Sequence, residues 1–156
     1  MAAIGNIIWF LLMGGLFGAL AWLFFGVVLC ATIIGVPAGI AAFRLAGFVA
    51  FPFGKELVDA RMLGEKRIPG TALANLLWIL LAGLWLAISH CMAGLACFVS
   101  CILILPILFG APAWGMAHFN IAAAALAPLG KRAVPKAIAT EARRRHANAI
   151  LDQKLG

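Results

Sequence analysis

Between Met1 and Phe43 the chain carries no Lys, Arg, Asp or Glu, and the stretch from Ile68 to Gly130 is equally bare of them. At about 1.5 Å per residue, the first stretch wound as helix would span twice the ~30 Å hydrocarbon core of a bilayer. Neither stretch offers water a charged face. Lipid asks for none, provided each backbone N–H and C=O is satisfied inside a helix. The pattern predicts an integral membrane protein, all-α, built as a polytopic transmembrane helical bundle.

The apolar stretches repeat. Asn6-Ile7-Ile8-Trp9-Phe10-Leu11-Leu12-Met13-Gly14 matches Asn75-Leu76-Leu77-Trp78-Ile79-Leu80-Leu81-Ala82-Gly83 at an offset of 69. Phe43-Arg44-Leu45-Ala46 matches Phe119-Asn120-Ile121-Ala122, and Ala50-Phe51-Pro52-Phe53-Gly54-Lys55 matches Leu126-Ala127-Pro128-Leu129-Gly130-Lys131, both at 76. Matched Asn, Trp, Phe, Pro, Gly and Lys positions are more than shared hydrophobicity gives, so the chain divides into two copies. The division is a membrane repeat over 1–54, a charged linker over 55–74, a second membrane repeat over 75–130 and a basic tail over 131–156. Each copy is long enough for two crossings, predicting two tandem helical hairpins with spans Asn6–Phe25, Val28–Phe51, Asn75–Ala93 and Phe98–Leu126. The alternative is one long tilted span per copy, followed by a half-membrane or in-plane segment beginning near Pro37 and Pro112.

Proline lacks a backbone donor and clashes with the preceding turn, so Pro37 and Pro112 are expected to break the second helix of each copy. The discontinuities are Gly35-Val36-Pro37-Ala38-Gly39 and Gly110-Ala111-Pro112, with a further bend at Pro106. In these same residues the chain resembles a known family. Ile33-Ile34-Gly35-Val36-Pro37-Ala38-Gly39-Ile40-Ala41-Ala42-Phe43-Arg44-Leu45-Ala46, Ala125-Leu126-Ala127-Pro128-Leu129-Gly130-Lys131-Arg132 and the doubled Asn-x-x-Trp starts are similar to the YccF-domain family of small bacterial inner-membrane proteins. The resemblance covers about Asn6–Gly54 and Asn75–Arg132 and implies a multi-pass inner-membrane protein, with no established activity attached. The second copy departs from the pattern, reading Gly110-Ala111-Pro112-Ala113-Trp114-Gly115, with Asn120 in place of the basic residue after Phe.

Composition agrees with a membrane setting: 65% hydrophobic, 11% charged and a mean hydropathy of +1.11, where soluble domains carry about 25% charged residues. Trp9, Trp22, Trp78, Trp85 and Trp114 are available as interfacial anchors. A cleaved signal peptide is not expected, because there is no basic start and the apolar run is too long. The charges sit in two places. The linker holds Lys55, Arg61, Lys66 and Arg67 against Glu56, Asp59 and Glu65; the tail holds Lys131, Arg132, Lys136, Arg143, Arg144, Arg145 and Lys154 against Glu141 and Asp152. By the positive-inside rule both face the cytoplasm, which puts both termini there. A tail helix over Pro135–Leu155, with an i,i+4 pair Glu141–Arg145, would lie on the anionic inner leaflet or against a second copy. Nucleic acid binding is the other reading of a basic tail, and a lipid-facing basic end is the more ordinary one.

Arg44 alone is charged within the predicted spans. Either it lines a pore or cavity, with Asn120 at the matched position, or it snorkels to the headgroups. Asn6 and Asn75 are either helix N-caps beside interfacial tryptophans or a ring of amides at a pore mouth. His118 lies near Asn120, and an interior, satisfied histidine is its simpler reading. His90, Gly94, Cys97 and Cys101 share a helical face, with Cys91 and Met92 adjacent; imidazole and thiolate suit Zn or Cu(I), while small residues there also suit close packing. Gly14 and Gly18 have the spacing that lets helix backbones approach. No phosphate-cradling loop, intramembrane carboxylate pair or Ser-His-Asp set is present, so neither an enzyme nor a cofactor is expected. Two functions remain: a homo-oligomeric pore or small transport protein, anion-leaning through Arg44, and a non-conducting scaffold that packs helices and binds anionic lipid.

Overall fold

The structure, a computed structural model, describes residues 2–66, 68–103 and 110–155. Arg67 of the linker and the bend expected at Pro106 lie outside the described residues. Helix α1 covers Ala2–Leu12, α2 Gly15–Ala31 and α3 Val36–Ala50. Strand β1 (Lys55–Asp59) and a 3-10 turn (Ala60–Leu63) follow. Helix α4 (Thr71–Trp78) passes through a π turn (Ile79–Gly83) into α5 (Leu84–Ser100). Helix α6 (Ala111–Leu126), strand β2 (Lys131–Pro135) and helix α7 (Lys136–Leu155) complete the chain.

The molecule is mostly helical, as the apolar pattern requires, but its helices do not follow the four expected spans. Among the described residues one helix, Thr71–Ser100, is both long and apolar enough to cross a membrane. The pair α1 and α2 would make a second, except that it bends by 71° at Met13-Gly14. The bend follows from Gly14, whose φ of 90° lies in the left-handed region that glycine enters without steric cost. At the matched position, Gly83 stays in right-handed helical conformation and closes the π turn, so the chain runs on into α5 without that bend. Each of these long elements is followed by a short helix folded back against it: α2 packs along α3, and α5 along α6.

The prolines play a different part from the one predicted. Pro37 and Pro112 sit in the first turn of α3 and of α6, so they begin these helices rather than break them. Proline is at home there, since its missing N–H would have no helical partner and its φ is already set. The expected span Val28–Phe51 therefore splits: Val28–Ala31 finishes α2, and the chain turns before Val36. In that turn the Thr32 hydroxyl donates to the Leu29 carbonyl at 2.7 Å and accepts from the Gly35 N–H at 3.1 Å. A Cβ on Gly35 would stand 2.5 Å from the Leu29 carbonyl oxygen, so the turn holds glycine at that site. At 15 and 16 residues, α3 and α6 are each about 22–24 Å long, short of a full ~30 Å crossing.

The two hairpins meet along α3 and α6. Ala42, Leu45, Ala46, Phe48 and Val49 of α3 pack with Ala117, Ile121, Ala124 and Ala125 of α6, joined by Trp9 and Trp22. Trp9 is 2% exposed and Trp22 stacks on Trp78, so these are core residues and not interfacial anchors; Trp85, 67% exposed, remains free for that part. Around this core the outward faces are apolar: Phe17, Phe24, Ile34, Leu80 and Leu81 are all exposed.

A two-stranded sheet is the departure from an all-helical chain. β1 and β2 pair antiparallel, with Lys55 opposite Pro135 and Asp59 opposite Lys131. The register centres on Leu57 opposite Ala133, two positions 76 residues apart. Linker and tail are thus one structural unit, a polar cap at a single end of the helices. The tail helix α7 lies against it through Ala139 and Ala142, while the apolar Ile138, Ile150, Leu151 and Leu155 stay exposed.

Candidate functional site

The cap is anchored to the apolar helices by two matched sets of contacts. The Asn6 Nδ2 donates to the Phe53 carbonyl at 3.1 Å and its Oδ1 accepts from the Phe53 N–H at 3.0 Å. Asn75 does the same to Leu129, at 3.0 and 3.1 Å. Three residues on, the Trp9 indole donates to the Val49 carbonyl at 2.7 Å and the Trp78 indole to the Ala125 carbonyl at 2.8 Å. Phe53 and Leu129, like Val49 and Ala125, are 76 apart. Neither asparagine caps its helix: α1 starts at Ala2 and α4 at Thr71, so both lie inside a helix and tie down the chain that leaves α3 or α6. Their amides are spent on backbone groups, which leaves them little to offer at a pore mouth.

Immediately after these ties, Gly54 and Gly130 turn the chain with φ of 80° and 79°, and Lys55 and Lys131 open the two strands. Linker and tail are then cross-fastened. Arg143 meets Glu56 at 2.5 Å, Arg132 meets Glu65, and the Ala60 N–H reaches the Gly130 carbonyl at 2.8 Å.

Between the cap and the near ends of α3 and α4 lies a cavity of about 260 Å³. Its wall brings Arg44 together with Arg61, Lys66, Lys131 and Arg132, against only Asp59 and Glu65. Arg61 grips Asp59 through two nitrogens, at 2.9 and 2.6 Å, and these bonds hold the Asp59 carboxyl at about 2, below the usual carboxylate range. Burial pushes the Lys131 ammonium down, with Asp59 pulling the other way. Thr71, Ala72 and Asn75 bring the amino end of α4 to the same space. That end has Gly70 at its cap position and no capping side chain, so its dipole adds to the positive field. Arg44 therefore opens onto a basic cavity at the cap.

Asn120, its matched residue, is exposed and lines a second cavity of about 180 Å³ beside Phe48, Glu56, Lys131 and Arg143. His118 does not join it. His118 lies between α5 and Trp9, its Nδ1 3.1 Å from the Nδ1 of His90 and its ring 5.0 Å from the indole. His90 is thereby turned toward His118 and away from a thiol cluster. Cys101 donates weakly to the Cys97 carbonyl one turn back, and among the described residues no three His, Cys, Asp or Glu side chains are grouped so as to hold a metal ion.

The glycines divide by role. Gly18 packs within the chain, where a Cβ would meet Val49 at 2.8 Å, whereas Gly14 has nothing within 4 Å and serves the bend, not packing. Gly39 sits against Gly26 and Cys30 of α2, and Gly110 takes a left-handed φ of 83° just before α6.

Sequence reasoning found Arg44 but not its company. Arg132, Lys131, Glu65 and Arg61 reach it only through the pairing of β1 with β2, two five-residue strands with no hairpin turn between them. The available signal was that each matched Pro-x-Gly-Lys ends its apolar stretch and starts a charged one.

The inner membrane component domain of the YccF family matches residues 4–55 and 73–131. The proteins named Inner membrane protein YccF from Escherichia coli (strain K12) and from Shigella flexneri are each 32% identical over 154 residues, covering 96% of this chain and 97% of theirs. No solved structure matches the chain. With most of its length matched by the family model, and the two relatives spanned end to end, this chain belongs to the YccF family of inner-membrane proteins.

Proposed function

We propose that the chain is a multi-pass inner-membrane subunit, built by duplication, that packs against other membrane helices and presents a basic cap to the cytoplasmic, anionic leaflet. One observation carries the reading. Apart from Arg44, helices α1 to α6 bear no charged residue, and Arg44 itself opens onto the cap, where the charges of linker and tail come together. Such a molecule has a single wet end. The antiparallel pairing of β1 with β2, centred on two matched residues, supports copies in the same orientation related by an axis along the helices. An inverted pair would put one asparagine tie at each end of the bundle. The Lys and Arg excess of the cap selects the cytoplasmic side. The exposed apolar faces, too broad for water, fit lipid and a second copy of the chain.

The test is labelling in spheroplasts. In a cysteine-free background, Lys66→Cys and Asn148→Cys, both exposed positions, should be shielded from an impermeant maleimide until the membrane is broken. Labelling of either in intact spheroplasts rejects the arrangement.

A second reading, a homo-oligomeric conduit that favours anions, draws support from Arg44, which opens onto a cavity rather than being paired off. The path would run between protomers. In reconstituted vesicles Arg44→Ala should then change chloride flux while leaving the oligomer intact; equal flux in both, or none in either, sets this reading aside in favour of the scaffold.

A further inference from the structure

We infer that the larger cap cavity is a binding site for a phosphate group, held by Arg44, Lys66 and the amino end of α4. The inference rests on the membrane reading only for the source of the phosphate, not for the site.

The cavity has charge to spare. Arg61 is neutralised by Asp59 and Arg132 by Glu65, and the Lys131 ammonium is engaged by the Ala123 carbonyl at 3.3 Å. Among the described residues, Arg44 and Lys66 have neither a carboxylate nor a hydrogen-bond partner. Two unpaired cations on the wall of one cavity, beside a third that is partly desolvated, leave an excess of positive charge there that an anion would offset. The donor set suits a tetrahedral oxyanion: a guanidinium fork, an ammonium and the start of α4, which has no side-chain cap and whose Thr71 N–H alone is taken, by the Ile68 carbonyl. A phosphodiester headgroup carries one negative charge spread over two non-bridging oxygens, one for the guanidinium fork and one for the ammonium, while free phosphate carries up to two charges. The Arg61–Asp59 and Arg132–Glu65 pairs add rigidity to the wall rather than charge.

The surroundings favour a phosphate that arrives on a lipid. Ile68 at the rim is exposed. Below it, Ala72, Leu76 and Leu80 follow one another at four-residue spacing on one face of α4 and its π turn, with Leu76 and Leu80 exposed. A headgroup seated on Arg44 and Lys66 would send its acyl chain down that face. Free phosphate has the same recognising chemistry and is the other source.

The experiment uses the full chain in detergent, with phosphatidylglycerol or the phosphate-free diacylglycerol added, and reads bound lipid by native mass spectrometry. Inorganic phosphate is titrated separately by calorimetry. The wild type should retain phosphatidylglycerol at least tenfold over diacylglycerol. Arg44→Gln with Lys66→Gln should remove that preference, while Lys136→Gln with Lys154→Gln, the same charge change made in the tail helix, should not. Binding of inorganic phosphate with the same sensitivity, in the absence of lipid retention, keeps the site and makes its source soluble. Equal losses in the two double variants would mean diffuse attraction of a basic surface, and would overturn the site. So would a wild type that distinguishes neither probe. Should the Arg44 variant fail to fold, Lys66→Gln alone, on an exposed loop, should still lower retention about threefold; no change there also overturns it.

Discussion

Asn6 holds the backbone of Phe53 in both directions, donating to its carbonyl and accepting from its N–H, and Asn75 holds Leu129 in the same way. The chain leaving α3 or α6 has an unpaired N–H and C=O at that residue, since neither helix nor strand claims them. In a low-dielectric setting such groups cost free energy unless a partner is built in. A primary amide, with one donor and one acceptor side by side, is the side chain whose shape matches a peptide edge.

Asn6→Ala should therefore cost about 1–3 kcal/mol, because it strands two backbone groups as well as losing two bonds. Asn75→Ala should cost a similar amount, since the contact is the same. Thermal unfolding in detergent measures both. A drop in only one variant would mean that the two ends are not equivalent in energy, whatever their geometry.

Close helix approach gives a second expectation. A Cβ on Gly39 would lie 2.4 Å from the Cys30 Sγ and 2.7 Å from the Gly26 carbonyl oxygen, where α3 crosses α2. The sulfur can shift but the backbone oxygen cannot, so Gly39→Ala should force the helices apart at a cost of about 1–3 kcal/mol. Gly47→Ala on the same helix meets nothing within 4 Å and should be neutral or stabilising by up to about 1 kcal/mol. Comparable losses in both would point to helix propensity or lipid contact rather than to packing.

Strong acid should weaken the tail. Hydrogen bonds from Arg144 and then Arg145 hold the Glu141 carboxyl at about 2, against an unfolded value near ~4.3. A lowered carboxylate contributes stability above its unfolded value and loses it as pH falls through the folded one. The Tm difference between wild type and Glu141→Gln should thus be constant above about pH 5, shrink below 4 and close near 2. The difference will be small, since all three side chains face solvent. A gap that persists at pH 2 would give Glu141 a role other than ion pairing.

What the sequence disclosed, and what it hid, follows from how local each signal is. The charge-free stretches and the matched Asn-x-x-Trp starts are written in consecutive residues, and they announced the apolar helices and the two offsets. Pro37 and Pro112 marked real boundaries, yet proline is equally compatible with a helix interior that breaks and with a helix first turn, and only the fold decides. Asn6 reads as a cap because capping is a local event; its partner is 47 residues away. The cap was the least legible part. Lys55–Asp59 and Lys131–Pro135 are short and charged and face each other only because each helical pair returns the chain to the same end. The basic cavity depends on that return, so Arg44 could be suspected alone but not placed among Lys66, Arg132 and Glu65.

The pairing of His90 with His118 belongs to the second copy only, the matched positions in the first being Ala21 and Ala42. At 3.1 Å between the two Nδ1 atoms, one imidazole donates and the other accepts. His118 is also held at its ring edge by Trp9 of the first copy, so the pair bridges α5, α6 and α1. Removing one histidine strands the ring nitrogen of the other, whereas removing both strands neither. His90→Ala and His118→Ala should each destabilise the fold, and the double variant should lose less than their sum by about 0.5–3 kcal/mol. A double-mutant cycle on thermal unfolding in detergent supplies the measurement. Additive losses would mean that the two rings pack without sharing a proton, and would leave the contact with Trp9 as the reason His118 sits where it does.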